Sequence, residues 1–231
     1  MTASNKKIKT LVCILGQTRA QDITWSNFNN FLLKSLNADL ALCVAEKKTS
    51  NNQMYKNAKY IWKYKDLKDY SKHFEDAQRV LIKFKKLDYK PNWKKLVRIK
   101  HFWLARISGT SKIKNNRGIY SGGTGGLLIY NRWFLLQKIL KNKLIKKYDR
   151  FIITRSDFMW NTHHPKMNNL NPKYIWIPDG EKYGGYTDRH AVLSKNNVYD
   201  YLNLLEPILL EPNKLYDLMK LKNNWNLERY I

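Results

Sequence analysis

Short apolar runs separated by a segment of helical periodicity restrict the fold of this chain more than any other feature. Residues 7–15 (KIKTLVCIL) are apolar and β-branched and end at Gly16, which is typical of a buried strand followed by a tight turn. Residues 24–36 carry apolar side chains at helical spacing, and residues 38–45 and 58–64 return to strand-like runs. Strand, helix and strand joined by short turns predict an α/β fold with a mainly parallel central sheet flanked by helices.

The rest of the chain continues this alternation. We predict helices over residues 70–86, 93–107 and 127–148, a fourth strand over 149–154, short strands over 174–177 and 191–193, and a glycine-rich loop over 108–126. From Asn196 onward the pattern is mostly helical, with interruptions at Pro207 and Pro212. The length of 231 residues suits one domain, and a hydrophobic content of 43% excludes a mainly disordered chain.

The formal net charge of +25, from 43 Lys and Arg against 18 Asp and Glu, raises the question of an anionic partner. Lys supplies 33 of the 43 basic residues, and these lysines are scattered along the chain instead of forming one block or one helical stripe. Arg, which makes bidentate contacts with bases and phosphates, is the minority. A generic solvated surface is therefore the favoured interpretation, followed by an anionic substrate such as a nucleotide, and then by nucleic acid or an anionic membrane.

The cysteines and the hydropathy pattern predict a soluble protein of the cytoplasm. Cys13 and Cys43 both lie inside apolar runs, which predicts reduced, buried thiols and disfavours a disulfide scaffold or a cysteine-rich zinc module. No segment approaches the ~18–20 apolar residues of a membrane span. Residues 1–9 are polar and lack the apolar core of a secretory signal.

The segment 148–160 (YDRFIITRSDFMW) is the most informative for chemistry. Its strand leads into Arg155, Ser156 and Asp157 before apolar residues return. Open α/β sheets bind ligands beyond the carboxyl ends of their parallel strands, so this loop is a candidate ligand site. A carboxylate there can hold a divalent metal ion that bridges diphosphate oxygens. The alternative is structural, with Asp157 capping a helix or forming a surface ion pair with Arg155.

A second candidate loop follows the first strand. Gly16, Gln17, Thr18 and Arg19 combine a glycine turn with a cation, and such a loop can hold a base or a diphosphate. The loop does not match GxGxxG, and the chain contains no GxxxxGK[ST], which disfavours a dinucleotide cofactor and a P-loop NTPase. The glycine run at 122–126 only loosely resembles a phosphate loop, and a mobile lid or the lead-in to a helix explains it better.

The segment 177–193 (IPDGEKYGGYTDRHAVL) gathers acidic residues and a histidine around glycines, which let a backbone approach a ligand closely. Asp188 lies just before a short strand and is a candidate general base, nucleophile or ligand of a sugar hydroxyl. His190 is read more readily as a structural histidine than as a catalytic one. His163 and His164 offer metal ligands, but adjacent histidines in a loop are a weak signal.

These segments resemble small nucleotide-sugar glycosyltransferases of the GT-A type. LVCILGQTRA, followed by a helix and NADLALCV, is similar to the start of that fold. YDRFIITRSDFMW, with IWIP and GGYTDRHAVLSKNNVYDYL after it, is similar to the strand–DxD region and the acceptor-side segment. The resemblance extends from about Lys7 to about Tyr201, and it points to the glycosyltransferase domain of large chlorella-type algal viruses, which decorates capsid glycans.

The resemblance implies a single GT-A domain over residues 1–231, with a nucleotide-binding half of about 1–157 and an acceptor-side half of about 158–231. It implies a metal-assisted hexosyl- or deoxyhexosyltransferase that uses Mn²⁺ or Mg²⁺ and a nucleotide-sugar donor, with UDP as the expected nucleotide. The acceptor would be a glycan or glycoprotein such as a viral capsid glycan, and the location would be the host cytoplasm if the protein is viral.

The resemblance also assigns roles to single residues. Asp157 would be the metal ligand, and Asp188 would line the sugar or acceptor pocket as the catalytic acidic group. The nucleotide would lie beside the two candidate loops, at Gly16, Gln17, Thr18, Arg19, Arg155 and Ser156. The sequence departs from the family at Arg155, which replaces the first Asp of the DxD motif. One carboxylate binds a divalent ion more weakly than two, and Arg155 can itself neutralise diphosphate charge.

Two other functions stay open at this point. The first is a nucleic-acid-binding module that uses the +25 charge, although no known nucleic-acid motif is present and the basic residues are dispersed. The second is a non-catalytic remnant that binds a glycan through exposed Trp and Tyr side chains. We expect no nucleic-acid partner.

Overall fold

Five strands form the central sheet of the computed structural model, which describes residues 7–45, 52–98, 125–221 and 226–231. The strands are β1 (Thr10–Gly16), β2 (Asp39–Ala45), β3 (Tyr60–Tyr64), β4 (Arg150–Thr154) and β5 (Ala191–Ser194). They lie in the order β3-β2-β1-β4-β5, with β1 to β4 parallel and β5 antiparallel to β4. The predicted α/β class with a mainly parallel sheet and flanking helices is confirmed.

Helices precede, separate and follow these strands along the chain. They are α1 (Gln21–Phe28), α2 (Gln53–Asn57), α3 (Ser71–Lys85), α4 (Gly125–Lys141), α5 (Val198–Leu202), α6 (Leu205–Leu210), α7 (Pro212–Met219) and α8 (Leu227–Tyr230). A π-helical segment (Asn29–Lys34) continues α1, and 3-10 helices occur at Trp93–Arg98, Leu144–Lys146 and Met167–Asn169. Within the described residues, no helix is both long and apolar enough to cross a membrane.

Strands β1, β2, β4 and β5 are buried on both faces, because they are apolar at nearly every position, whereas the edge strand β3 alternates between half-buried and exposed residues before the buried Tyr64. One face joins β1 and β2 to the helical segment that links them, in a core that includes Val12, Ile14, Leu42, Phe28 and Leu32. The opposite face carries the side chains of Leu11, Cys13, Ala41, Cys43 and Phe151, none of which is exposed. Continuous burial of this kind is the expected property of parallel strands covered on both sides. Cys13 and Cys43 are free buried thiols, as predicted.

Several element ends differ from the predictions for identifiable reasons. The first helix begins at Gln21, not residue 24, because the Ala20 carbonyl already accepts the N–H groups of Ile23 and Thr24. The predicted helix over 127–148 ends at Lys141, since Lys143 adopts a left-handed backbone (φ +53°) that an α-helix does not continue through.

Three further predictions meet a different outcome. Gly125 and Gly126 begin α4, so they belong to a helix and not to the loop predicted over 108–126. The strand predicted over 174–177 reduces to one isolated bridge between Trp176 and Val192, because its aromatic side chains are exposed and not packed in the sheet. The helix predicted over 93–107 is a 3-10 helix as far as Arg98, and residues 99–124 lie outside the described part of the chain.

The chain divides into two compact units, each built from separate segments. The first comprises Met1–Asp66, Leu135–Asp179 and Arg189–Tyr201 and contains the whole sheet. The second comprises Leu67–Phe134, Gly180–Asp188 and Leu202–Ile231 and is helical in its described residues. The predicted division into a nucleotide-binding half and an acceptor-side half concerns function and stays a prediction.

The second unit has its own core around α3. Gln78 is fully buried there, and its side-chain amide nitrogen Nε2 donates to the carbonyls of Pro91 (2.8 Å) and Leu209 (2.9 Å). Phe74 packs against Trp93 with ring centroids 5.3 Å apart. The amide and the aromatic pair join α3 to the segment before the 3-10 helix and to α6.

Candidate functional site

The loops predicted from the sequence to form a site lie at the carboxyl ends of β1 and β4. From β1 the chain moves to β2 and then β3 on one side, whereas β4 pairs with the other side of β1. The loops that leave β1 and β4 therefore diverge at their carboxyl ends, and such a switch point forms the ligand crevice of open α/β sheets. Ile14 pairs with Thr154, so the loops that begin at Gly16 and Arg155 start at nearly the same level of the sheet.

Ser156 ties the two loops together. Its hydroxyl lies within hydrogen-bond distance of the carbonyl oxygens of Gln17 (2.8 Å) and Arg19 (3.0 Å), and its side chain is almost completely buried. The Ser156 carbonyl in turn accepts a hydrogen bond of 2.7 Å from Thr24 Oγ1, which also reaches the Ala20 carbonyl at 3.1 Å. The hydroxyl groups of Ser156 and Thr24 hold the backbone of both loops and the start of α1 in one arrangement.

The first loop is also fixed by residues that sequence reasoning missed. Asn52 Nδ2 donates to Thr18 Oγ1 (2.8 Å), while Asn52 Oδ1 caps α2 by accepting from the Tyr55 N–H (3.0 Å). Gln21 Oε1 accepts from the Gln53 N–H at 3.2 Å. Asn is a preferred residue at helix N-caps, so Asn52 signals a helix start in the sequence. That signal can be used only if the five-residue α2 is itself predicted.

Arg155 and Asp157 form a bidentate ion pair beside this loop. Arg155 Nε donates to Asp157 Oδ1 (2.9 Å) and Nη2 donates to Oδ2 (2.7 Å), with the two side chains 36% and 26% exposed. Hydrogen bonds from Arg155 lower the pKa of the Asp157 carboxyl from its usual value, partial burial opposes that shift, and the charge of Arg19 adds to it. Asp157 is therefore ionised at neutral pH and lies within the electrostatic reach of two guanidinium groups.

The structure brings together most of the residues predicted to bind nucleotide. Gly16 (φ +95°) turns the chain at the end of β1, and the exposed Arg19 follows it, while Gln17 and Thr18 are half-buried. Arg155 and Ser156 lie in the loop after β4, which is held against this one. Two cations and one carboxylate leave these loops with a net positive charge, which favours an anionic group.

Asp157 is the one carboxylate that residues 17–20 and 155–160 offer to a divalent ion. Both of its oxygens are already bonded to Arg155. Among the residues that the structure describes, no group of three or more His, Cys, Asp or Glu side chains gathers as a metal site. Mn²⁺ and Mg²⁺ require several oxygen ligands, so the metal role of Asp157 stays a prediction without support from its neighbours.

Asp188 belongs to the second unit, in a loop fixed by backbone contacts. Its carbonyl accepts a hydrogen bond of 3.1 Å from Nη2 of the buried Arg132, and its side chain is half-buried. In the same loop the Tyr186 N–H donates to the Glu228 carbonyl (2.7 Å). Gly185 packs against that residue so closely that a Cβ atom would lie 1.9 Å from the same oxygen. The catalytic role of Asp188 stays a prediction.

Two of the three histidines singled out in the sequence, His164 and His190, form a buried cluster in the first unit, whereas His163 is exposed. The rings of His164 and His190 lie 5.5 Å apart between centroids, and Trp160 packs 5.2 Å from His190. His190 Nδ1 is 3.1 Å from Thr154 Oγ1 at the end of β4. Burial lowers the pKa of His190 to about 3, helped by the neighbouring His164. His190 is thus neutral and structural at physiological pH.

Comparison with known proteins adds no assignment. No protein-family model matches the chain, and a search of curated proteins finds no match either.

Proposed function

We propose that the protein is a glycosyltransferase that moves a sugar from a nucleoside-diphosphate sugar to a glycan or glycoprotein acceptor. The observation that carries the proposal is the pair of arginines, Arg19 and Arg155, on two linked loops at the switch point of an open α/β sheet. This is where such sheets bind ligands, and guanidinium groups are the side chains best matched to phosphate oxygens. UDP is the proposed nucleotide on the basis of the resemblance.

In the proposed reaction the bond between the anomeric carbon and the diphosphate oxygen breaks, and the acceptor hydroxyl oxygen bonds to that carbon. The leaving diphosphate gains negative charge as this bond breaks, so fixed cations that contact it stabilise the transition state. Arg19 and Arg155 are the residues we propose for this task. In an inverting reaction, Asp188 would act as the general base and accept the proton of the acceptor hydroxyl. In a retaining reaction it would have a supporting role.

The location we propose is the cytoplasm, which is the host cytoplasm if the protein is viral. The free, buried thiols of Cys13 and Cys43 support a reducing compartment. A capsid glycan is the acceptor that the resemblance favours.

The test is a screen of nucleotide sugars and nucleoside diphosphates by thermal unfolding, followed by a transfer assay with radiolabelled donor. A ligand that binds only the folded chain, at about 100 times its Kd, should raise the Tm by about 5–10 °C. Arg19→Gln should weaken binding about tenfold, because a hydrogen bond to a charged group is lost. The matched control is Arg79→Gln, since Arg79 is an exposed arginine of α3 already paired with Asp76.

Turnover separates an enzyme from a binding protein. Asp188→Asn should reduce kcat by about 10²–10⁴-fold if Asp188 transfers the proton. Binding without transfer or hydrolysis of any donor would favour the glycan-binding alternative. Tight, salt-sensitive binding of oligonucleotides, with no response to nucleoside diphosphates, would favour the nucleic-acid alternative.

A further inference from the structure

We infer that the solvent-facing side of α3 is a docking surface for an anionic lipid bilayer. This α3 surface consists of the apolar Val80 and Phe84 and of the basic Lys72, Lys83 and Lys86. The two apolar side chains enter the interfacial region of the bilayer, and the lysines contact the charged headgroups of anionic lipids. Docking of this kind needs no membrane-spanning helix, and it does not depend on the proposed transferase activity.

The first step is the division of α3 into two faces. Four of its residues recur at helical spacing and form the face that is buried in the protein: Phe74, Ala77, Gln78 and Leu81. Val80 and Phe84 stand four positions apart, so their side chains are neighbours on the helix surface. Val80 is 52% exposed and Phe84 is 79% exposed. A single exposed apolar residue is ordinary, but two neighbours that contribute so little to the packing favour a partner.

The second step is the charge around this apolar pair. Both acidic residues of α3 are already paired with cations of the protein, Glu75 with Lys90 (2.6 Å) and Lys94 (3.1 Å), and Asp76 with Arg79. The three lysines of the α3 surface are exposed, and none of them has an ion-pair partner among the residues that the structure describes. The surface therefore combines uncompensated positive charge with exposed apolar side chains, as helices that bind at membrane interfaces do.

The third step is the choice between two anionic partners, a bilayer and a nucleic acid. Single-stranded nucleic acids stack their bases on aromatic rings, and Val80 has no ring to offer. Arginine is the side chain best suited to bidentate contacts with bases and phosphates, and Arg79, the one arginine of α3, is engaged by Asp76. A bilayer interface accepts aliphatic and aromatic side chains alike and attracts lysine through its charge. The composition of the α3 surface therefore favours lipid.

The experiment measures binding of the full chain to vesicles by flotation through a density gradient. Vesicles of phosphatidylcholine alone are compared with vesicles that contain about 30% phosphatidylserine, which supply the anionic surface. The wild type should bind the anionic vesicles at least about tenfold more tightly, because each lysine near the surface adds attraction. Raising the salt from ~0.1 M to ~0.5 M should weaken this binding, since salt screens the charges.

Variants separate the apolar and the basic parts of the surface. Phe84→Ser should weaken binding to anionic vesicles about tenfold, because a large apolar side chain no longer enters the bilayer. Lys83→Gln should weaken it about three- to fivefold, because one attraction to the headgroups is lost. All variants should keep the wild-type Tm, since the changed side chains are exposed.

The matched controls change equally exposed side chains elsewhere. Ile23→Ser removes an apolar side chain that is 75% exposed on α1, and Lys56→Gln removes an exposed lysine of α2. Both controls should bind anionic vesicles as the wild type does. A general loss of apolar surface or of charge would weaken the controls as well, so their comparison with Phe84→Ser and Lys83→Gln isolates the α3 surface.

Insertion into the bilayer is tested with a polarity-sensitive fluorescent dye attached at Phe84→Cys. The native thiols of Cys13 and Cys43 are fully buried and do not compete for the label. The emission of the dye should shift to shorter wavelength when anionic vesicles are added. The same dye attached at Ile23→Cys should show no shift.

The inference is overturned if anionic vesicles do not bind the wild type, or if Phe84→Ser and Lys83→Gln bind them as the wild type does. An unshifted dye at residue 84 also overturns it. Oligonucleotide binding that Phe84→Ser weakens, without vesicle binding, would identify a nucleic-acid site instead, and dimers that Phe84→Ser dissociates would identify a self-association face. None of these results bears on the proposed function, which depends on nucleotide-sugar binding and transfer.

Discussion

Protonation of a buried imidazole opposes folding, and His190 is the titratable side chain for which this effect is clearest. It is 7% exposed, and the groups around its ring are Thr154, Trp160 and His164. Burial lowers its pKa to about 3, and burial also lowers the pKa of His164. In the unfolded chain both histidines bind protons near pH 6.5. The unfolded state therefore binds more protons than the folded one between about pH 6.5 and 3.

We predict that acid destabilises the protein through this cluster. The contribution of the neutral histidines to the free energy of unfolding should be at its full value above pH 6.5. It should fall as the pH drops toward 3, by up to about 1.4 kcal/mol per pH unit for His190 alone. His190→Gln should lower the stability at pH 7 but give a shallower loss between pH 6.5 and 4.5. Urea unfolding at several pH values measures both slopes. The exposed His163→Gln should keep the steeper wild-type slope, and an unchanged slope in His190→Gln would refute the assignment.

At the residue scale the sequence indicated which residues follow β1 and β4 but not which partners their side chains have. Arg155 and Asp157 stand two apart after a strand, and that spacing allowed either a metal ligand or an ion pair. The choice depends on side-chain rotamers, which one sequence does not determine. Asn52 and Thr24 were missed as supports of the site because each contacts a loop distant in sequence, Asn52 at Thr18 and Thr24 at Ser156.

At the scale of elements, the hydroxyl group of Ser156 joins the loop after β4 to the loop after β1. Ser156→Ala removes the donor to the Gln17 and Arg19 carbonyls at a position that is only 2% exposed. We expect a loss of about 1 kcal/mol in the free energy of unfolding, since the carbonyl oxygens of Gln17 and Arg19 lose their bond to the buried Ser156 hydroxyl. The affinity for UDP should fall as well, because Arg19 is no longer held. Chemical denaturation and calorimetry measure the two effects.

Ser35→Ala provides the comparison for this prediction. The Ser35 hydroxyl bonds the Phe31 carbonyl (2.8 Å) on an exposed stretch of the helical segment, so its removal should cost less than about 0.5 kcal/mol. Equal losses in the two variants would mean that Ser156 has no special part in joining the loops.

Strands were predicted more accurately than helix ends. The runs at 38–45, 58–64 and 149–154 each contain an observed strand. For β2 and β4 the reason is burial, because a continuous apolar run has few alternatives once both of its faces are covered. The helix ends at Ala20 and Lys143 depend on left-handed backbone at non-glycine residues. Neither alanine nor lysine favours that conformation, so composition carried no signal for it.

At the scale of the molecule, the fold class followed from the sequence but the strand order did not. The order determines that β1 and β4 are neighbours, and this pairing creates the switch point. Nothing within either strand specifies its partner, since the central residues of both are apolar. The charge of +25 was likewise a poor guide, because the part that matters to the proposed site is Arg19 and Arg155.

The two cysteines offer a test of how completely the sheet excludes solvent. Cys13 in β1 and Cys43 in β2 are both fully buried, and burial raises the pKa of each thiol. Since the thiolate is the reactive form, we predict that neither reacts with Ellman's reagent over an hour in native buffer. Both should react within minutes in ~6 M guanidinium chloride, a concentration that unfolds nearly all mesophilic domains. Rapid native-state labelling of either thiol would contradict the packing described for the sheet.

The pairing of β1 with β4 also has a consequence in time. β1 finds β2 from close by in the chain, but the contact between Lys9 and Asp149, at the entry to the second ladder, spans 140 residues. Contacts so distant in sequence form late, because the intervening chain must be closed into a loop first. During synthesis β1 therefore has one unpaired edge until β4 has left the ribosome. The proposed crevice for the donor forms only when β4 has paired with β1, so ligand binding would report the closing of this ladder.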